Sequence, residues 1–220
     1  MAAMSIETLR KSLLLLLIVT LAAAVAWVGL DVLRQSRAPA VMPAGLQNII
    51  LPHPKALPEF QLSDYDGRPF GPQRLRGKWT FMFFGYTHCP DICPTALYTL
   101  QQLRKQLTAD PAAQADTQVL FISLDPHRDT AAILRDYVRY FDPSFLAATG
   151  DTRMIDRLTG ELGIPYAIED GPTPDEYIVN HSATILLLDP QGRYYARFST
   201  ITSPSAMADT YRQVRAYYNQ

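Results

Sequence analysis

A mostly apolar run without polar alternation, WTFMFFGY at residues 79–86, constrains the fold of this chain more than any other segment. A strand with such a pattern is buried on both faces, as in the centre of a parallel sheet. A second such run, QVLFISL at residues 118–124, follows a helical pattern, TALYTLQQLRKQL at residues 95–107. This strand–helix–strand order predicts an α/β fold with a central sheet flanked by helices.

The remainder of residues 57–220 completes this fold. Residues 57–70 predict two short strands about an Asp66-Gly67 turn, and residues 182–199 predict a hairpin. Helices are predicted from Thr130, over residues 151–162 and from near Pro204. The residues expected on the buried faces of these helices are Ile133, Leu134, Tyr137, Val138, Phe141, Met154, Ile155, Leu158, Leu162, Met207, Tyr211, Val214 and Tyr218. A βαβ unit followed by a hairpin and a C-terminal helix is the order of a thioredoxin-like fold.

Residues 12–30, SLLLLLIVTLAAAVAWVGL, carry no charge and are long enough to cross a bilayer as a helix. We predict a transmembrane anchor here, with residues 1–11 as a cytoplasmic segment. A cleaved signal peptide is the alternative, because Ala38 and Ala40 fit a small-residue cleavage pattern. The apolar run is longer than a typical signal core, which favours the anchor. Basic residues on the two sides of the run balance each other, so charge does not decide the orientation.

Residues 31–56 show little periodicity and are rich in proline, which predicts an extended tether between the anchor and the domain. The prolines are Pro39, Pro43, Pro52 and Pro54. The last ten residues of this segment fit a loop packed on the domain equally well. His53 is interpreted as a solvated residue of the tether. A tether would keep the domain concentrated near partners in the same membrane.

Charge restricts the classes of partner. The chain carries 20 Lys and Arg residues against 21 Asp and Glu residues, a net charge of −1, and 48% of its residues are apolar. That balance is typical of an ordinary globular protein and offers no strongly basic surface, so we expect no nucleic-acid partner.

The chain has two cysteines, Cys89 and Cys93, in the run GYTHCPDICP directly behind the first buried strand. On a helix, positions i and i+4 lie about 6 Å apart on one face. That separation allows either a disulfide or two thiolates on one metal. Pro94 suits the first helical turn and places Cys93 near the helix N-terminus, where a thiolate is favoured. The pair is therefore predicted to be a redox site or a metal site.

A metal at the cysteine pair needs a further ligand. Two thiolates favour Cu(I) or Zn²⁺, and a structural zinc site takes four protein ligands, whereas copper accepts three. His181, in the loop VNHS before a buried strand, is the predicted third ligand, because loops at that sheet edge converge on the cysteine loop. His88 is expected to tune the Cys89 thiolate through its charge, and His127 is expected to be exposed.

Three segments, GYTHCPDICP, LDPHRDT and VNHSATILLLDPQG, resemble the signature segments of the Sco/SenC family, and the resemblance covers residues 57–220. It implies a membrane-anchored, thioredoxin-like copper metallochaperone that binds Cu(I) or Cu(II). Delivery of this copper to the Cu(A) centre of cytochrome c oxidase is the implied role. By position, Cys89, Cys93 and His181 match the metal ligands of the family.

Two further residues qualify the resemblance. Asp125 matches an acidic residue of the family that lies beside the ligands and is not one of them. Asn180 stands where the family generally has an aspartate before the ligand histidine. Loss of that carboxylate is expected to alter Cu(II) affinity or the orientation of the histidine without removing a ligand.

The resemblance also implies partners and a compartment. The partners are the cytochrome c oxidase subunit carrying Cu(A), a copper donor protein and, through the N-terminal helix, a membrane. The short N-terminus favours a bacterial inner membrane with the domain in the periplasm over a mitochondrial location. The alternative function is a thiol-disulfide reductase, with Cys89 and Cys93 as its redox-active disulfide, that keeps the oxidase cysteines reduced. A peroxidase of the peroxiredoxin kind is disfavoured, since Thr87 and Arg128 alone do not form its anion-binding setting.

Overall fold

A computed structural model of the chain describes residues 6–35, 42–173 and 176–220. Contacts along the chain divide the protein into two compact units, one of residues 1–42 with Gln220 and the other of residues 43–219. Ala38 and Ala40 of the predicted cleavage pattern, Pro39 of the tether and the first part of the predicted cytoplasmic segment lie outside the described residues.

The described part of the first unit forms helix α1 at Ile6–Gln35. Within it, Ser12–Leu30 has a mean hydropathy of 2.7, and its side chains are exposed on every side of the helix. An amphipathic helix of a soluble domain would instead carry a polar face. By length and composition this helix can cross a membrane. Its retention as an anchor stays a prediction.

The second unit is built on an eight-stranded mixed sheet with the strand order β1-β10-β9-β4-β5-β6-β2-β3. The strands of this sheet are β1 Ile50–Ala56, β2 Leu62–Asp64, β3 Pro69–Phe70, β4 Trp79–Gly85, β5 Thr117–Ser123, β6 Leu146–Thr149, β9 Thr184–Leu188 and β10 Arg193–Ser199. Strands β7 Tyr166–Glu169 and β8 Ile178–His181 form a separate antiparallel ribbon. The helices are α2 Ile92–Gln106, α3 Pro111–Ala115, α4 Ala131–Phe141, α5 Thr152–Leu162 and α6 Pro204–Tyr218.

β4 is a central strand, and all seven of its residues are buried. It pairs in parallel with β5, from Trp79 opposite Thr117 to Gly85 opposite Ser123, and it pairs antiparallel with β9 on its other side. The predicted hairpin is present as β9 and β10, and the turn between β2 and β3 places Gly67 at φ +75°. The α/β prediction is confirmed as a mixed thioredoxin-like sheet flanked by helices.

The folded unit begins before residue 57, where the sequence placed its start. Residues 50–56 of the predicted tether form β1 and pair with β10, and Leu46 and Ile50 are buried. Prolines are tolerated in β1 because it is an edge strand, whose outward N–H groups serve no further strand. His53, predicted to be a solvated tether residue, is exposed but lies on this strand.

Helices α4, α5 and α6 are present, and each begins at a side-chain cap. Thr130, Asp151 and Ser203 accept from the backbone N–H group three residues further on. In α4, Leu134 and Val138 are fully buried, whereas the prediction for Ile133 is wrong, because its side chain is 40% exposed. Ile133 therefore lies outside the buried face of α4, on which the sequence pattern predicts it. The residues Tyr137, Phe141, Met154 and Tyr218 are half-buried.

Candidate metal centre

The two cysteines lie at the junction of β4 and α2. Cys89 is in the turn between them and is half-buried, and Cys93 is the second residue of α2 and is fully buried. Gly85 ends β4 beneath the pair, where a Cβ atom would lie 2.6 Å from the Cys93 sulfur and 2.9 Å from the Phe121 ring. Glycine at this position therefore lets the Cys93 thiol approach the central strand.

His181 reaches the cysteines from the β7–β8 ribbon. The sequence predicts it in a loop, but it is the last residue of β8 and pairs with Tyr166 of β7. Its ring lies edge-on to Phe83 and Tyr86, with ring centroids 5.7 and 6.2 Å away. The ribbon was missed because β7 and β8 have four residues each and are mostly exposed, which leaves only a weak hydrophobic pattern.

The tautomer of His181 suits metal binding. Its Nδ1 atom lies 3.0 Å from the carbonyl oxygen of Ser182. Because a carbonyl oxygen can only accept a hydrogen bond, Nδ1 carries the ring proton and is the hydrogen-bond donor. The Nε2 atom keeps its lone pair and lies 3.3 Å from the Cys93 sulfur. A backbone carbonyl on the other ring nitrogen is a common support of metal-ligating histidines.

The three predicted ligands converge on one point. The sulfur atoms of Cys89 and Cys93 and a ring nitrogen of His181 all lie within 4.8 Å of one another. Three coplanar bonds of about 2.0–2.3 Å to one ion place the donor atoms about 3.5–4 Å apart. Shifts of less than an ångström or so would therefore seat an ion between them. Two soft sulfurs and one imidazole fit copper, whereas a structural zinc site takes four protein donors.

The two cysteines carry different charges in the metal-free protein. A hydrogen bond from Cys93 lowers the pKa of Cys89 to about 3, against the opposing effect of burial. The Cys93 backbone N–H group also donates to the Cys89 sulfur, at 3.4 Å. The hydrogen bond to Cys89 and burial raise the pKa of Cys93 above its usual range. These contacts favour the thiolate at Cys89, whereas the sequence predicts it at Cys93, because the Cys93 thiol and the Cys93 N–H group at the helix start both donate to the preceding sulfur.

A buried aspartate that sequence reasoning missed supports the cysteine loop. Asp129 is fully buried and accepts from the Thr87 backbone N–H group at 3.0 Å and from the Thr87 hydroxyl at 2.6 Å. The Ser123 hydroxyl donates to the same carboxylate at 2.6 Å. His88 lies next to it, with Nδ1 3.7 Å from an Asp129 oxygen. The motif LDPHRDT contains the signal, since it has a second aspartate besides Asp125.

The other singled-out residues lie around the cluster and not within it. His127 is exposed, as expected. Asp125 is buried, and its carboxylate accepts hydrogen bonds from Arg128 Nε and from the Tyr177 hydroxyl. Asn180 is exposed and donates from its side-chain amide to Glu169 at 2.8 Å. Because side chains alternate along a strand, Asn180 lies on the ribbon face opposite to that of His181.

A central strand followed by a cysteine pair at a helix start, with a histidine brought in from the side, defines a thioredoxin-fold protein with a metal-binding cluster. The sequence profile of the SCO1/SenC family matches residues 51–216. The chain therefore belongs to the SCO1/SenC family. A mitochondrial SCO2 homolog from Bos taurus is 37% identical over 160 residues, which are 73% of this chain and 60% of the bovine one.

Two solved structures with copper bound are similar to this chain. ScoI from Bradyrhizobium japonicum is 32% identical, with a TM-score of 0.65 over 74% of this chain and 99% of that one. ScoI from Arabidopsis thaliana is 29% identical, with a TM-score of 0.67 over 73% of this chain and 98% of that one. The chain is thus a Sco-family protein of the copper-binding kind, and its cysteine–cysteine–histidine cluster fits that metal.

Proposed function

We propose that this protein binds copper through Cys89, Cys93 and His181 and delivers it to the Cu(A) site of cytochrome c oxidase during assembly. The observation that carries the proposal is the convergence of the three donor atoms within 4.8 Å. Membership of the SCO1/SenC family and the likeness to two copper-bound structures support the choice of copper. The oxidase as recipient is what the family resemblance implies.

The two cysteines have separate tasks in loading and release. The Cys89 thiolate is half-buried and already ionised, so it is the first donor that an incoming copper ion meets. Cys93 must lose its proton as copper binds, and the Nε2 lone pair of His181 completes three-coordination. Release proceeds by ligand exchange with the recipient, starting at the half-exposed Cys89 side.

We place the protein in a bacterial inner membrane, held by α1, with the folded unit in the periplasm. The length and apolar composition of Ser12–Leu30 support the anchor. A similar structure from the bacterium Bradyrhizobium japonicum supports the bacterial setting.

The test is a titration of the full chain, reduced and held in detergent, with Cu(I) against a competing chelator. We expect one copper ion per chain, an affinity at least about tenfold lower in His181→Ala, and loss of tight binding in Cys93→Ser. His127→Ala is the matched control, because it removes an exposed histidine outside the cluster. Copper-loaded protein should then transfer its ion to a metal-free Cu(A) subunit. Absence of stoichiometric binding, or full affinity in His181→Ala, would contradict the proposal.

A second candidate function is thiol-disulfide reduction, favoured by the ionised and half-exposed sulfur of Cys89. In this reaction Cys89 attacks one sulfur of a partner disulfide and the other partner sulfur leaves as a thiolate. Cys93, after losing its proton, attacks Cys89, so the partner is released as a dithiol and the cysteine pair becomes a disulfide. The reaction does not use His181. Reductase turnover that survives in His181→Ala while copper binding is lost would separate the two functions.

A further inference from the structure

The ribbon that carries His181 has few apolar contacts of its own. Among the residues of β7 and β8, Val179 alone is fully buried, and Ile168 and Ile178 are more than half exposed. A two-stranded ribbon is marginally stable in water unless other elements hold it. The position of His181 therefore depends on contacts between the ribbon and the rest of the domain.

The strongest of these contacts form at the start of β8, in a group that we name the Arg128 clasp: Asp125, Arg128 and Tyr177. The Arg128 guanidinium lies 3.5 Å from the centre of the Tyr177 ring and donates to the Tyr177 carbonyl oxygen at 3.0 Å. The Tyr177 hydroxyl donates to Asp125 at 2.6 Å, and Arg128 Nε donates to the same carboxylate at 2.5 Å. The ring, the hydroxyl and the backbone of Tyr177 are thus all held.

The Arg128 clasp is shielded from solvent. The side chains of Asp125 and Arg128 are 2% and 11% exposed. Because water and salt screen a pair of this kind only weakly, it restrains Tyr177 more firmly than an exposed ion pair would. Asp125 lies two residues after Ser123, the last residue of β5, so the clasp ties the ribbon to the central sheet.

Tyr86 links the Arg128 clasp to the metal cluster. The Arg128 guanidinium lies 5.7 Å from the centre of the Tyr86 ring, and the same ring lies edge-on to His181 at 6.2 Å. Val179 is buried in β8 and lies two residues before His181, on the same face of the strand. The ribbon is therefore supported at its start by the clasp, in its middle by the burial of Val179, and at its end by Tyr86 and the cluster itself.

We propose that Arg128 and Tyr177 are positioning residues that hold the β7–β8 ribbon so that His181 stays beside the cysteine pair. Tyr177 precedes His181 by four residues, a distance of about 13 Å along a strand, so the effect is transmitted through β8. The inference rests on the proposed copper site. It adds a determinant of copper affinity that touches neither the metal nor a ligand.

The decisive experiment is a double-mutant cycle on the full chain in detergent, with Cu(I) affinity measured by chelator competition. Tyr177→Ala should weaken binding about tenfold in the wild-type background, as loss of supporting partners of metal ligands does. In the His181→Ala background the same substitution should change the affinity less than about twofold. An equal loss in both backgrounds would overturn the proposal, because Tyr177 would then act through general stability.

A matched pair of arginine substitutions controls for folding. Arg128→Lys keeps the charge but loses the planar stacking on Tyr177. Arg193→Lys alters another arginine–aspartate pair, in which the Arg193 side chain is 35% exposed and donates to the fully buried Asp189 at 2.7 Å. This pair lies in the β9–β10 turn, at the end of β9 away from His181. Copper affinity should fall in Arg128→Lys and should stay at the wild-type value in Arg193→Lys. Equal affinities in the two variants would count against the Arg128 clasp.

Hydrogen exchange in the metal-free chain separates this inference from the proposed function. The amides of Ile178–His181 should exchange about tenfold faster in Tyr177→Ala, while those of β4 and β5 stay unchanged. Unchanged ribbon exchange would refute the clasp even if copper binds. If the wild-type chain binds no copper but the ribbon amides respond, the copper function fails and the positioning of the ribbon stands.

Discussion

The residue that most directly limits the metal cluster is one without a side chain. Gly85→Ala would place a methyl group 2.6 Å from the Cys93 sulfur and 2.9 Å from the Phe121 ring, both of which are buried. Since neither neighbour can move into open space, we expect a loss of about 1–3 kcal/mol in the free energy of unfolding, with weaker copper binding. Urea denaturation and Cu(I) competition measure the two effects.

The control for that change is Gly160→Ala in α5. A Cβ atom at Gly160 meets nothing within 4 Å, and alanine favours a helix by about 1 kcal/mol over glycine. Gly160→Ala should leave the copper affinity unchanged, and its free energy of unfolding should equal or exceed that of the wild type. Full copper affinity in Gly85→Ala would show that the close approach of β4 to Cys93 is not needed by the site.

The unequal charges of the two cysteines predict how copper affinity depends on pH. Because the pKa of Cys89 is about 3 and that of Cys93 is raised above its usual range, one proton, from Cys93, must leave the cysteine pair when copper binds near neutral pH. Apparent Cu(I) affinity should therefore rise about tenfold per pH unit between about pH 7.5 and 9. Chelator competition at several pH values measures the slope. A slope near zero, or near two decades per unit, would contradict the assignment of the thiolate.

The sequence was sufficient to predict the three residues of the candidate cluster but not the residues that hold them in place. Cys89, Cys93 and His181 have side chains whose chemistry is visible in the sequence, and the structure brings them together. Asp129 and Tyr177 act through partners 42 and 52 residues away in the chain. Such contacts depend on how the loops after β4 and β5 meet the ribbon, which local patterns do not encode.

At the scale of elements, the β7–β8 ribbon carries Asn180, at the position where the family resemblance implies an aspartate. Asn180→Asp would replace an amide that donates to Glu169 at 2.8 Å by a second carboxylate. Like charges across a strand pair cost about 0.2–1 kcal/mol, so the ribbon amides should exchange somewhat faster, most clearly at low salt. Copper affinity should change less than about fivefold, because Asn180 and His181 lie on opposite faces of β8.

The matched variant is Asn180→Asp combined with Glu169→Gln, which again places an amide diagonally across the ribbon from a carboxylate and should restore slow exchange. A loss of copper affinity beyond about tenfold in Asn180→Asp would mean that the carboxylate acts on the ligands themselves.

Edge elements were harder to predict than central ones for a physical reason. β4 and β5 are buried on both faces, so their apolar runs stand out in the sequence. β1 carries Pro52 and Pro54 and alternates irregularly, and its register with β10 shifts between Ile50 and Lys55. Proline usually indicates a loop but is compatible with an edge strand, so the sequence alone predicts a tether where the structure has β1.

At the scale of the whole molecule, the site lies where the segments that follow three strands meet. β4 ends at Gly85 and leads to the cysteines, β5 leads to Asp125 and Asp129, and β8 ends at His181 just before β9. β9 is antiparallel to β4, so its start lies at the same edge as the end of β4. This topology builds the cluster from two parts, the cysteines at the edge of the central sheet and the histidine on a ribbon that the Arg128 clasp holds against that edge.

The boundary of the folded unit gives the last prediction. A chain that starts at residue 43 keeps Leu46, Ile50 and the pairing of β1 with β10, whereas a chain that starts at residue 57 loses all three. Burial of two such side chains stabilises a domain by about 3–6 kcal/mol, which is a large part of an ordinary domain's stability. Urea denaturation should therefore show a much lower midpoint for the shorter chain, with reduced copper affinity at 37 °C or so. Equal midpoints would mean that residues 43–56 are a tether after all.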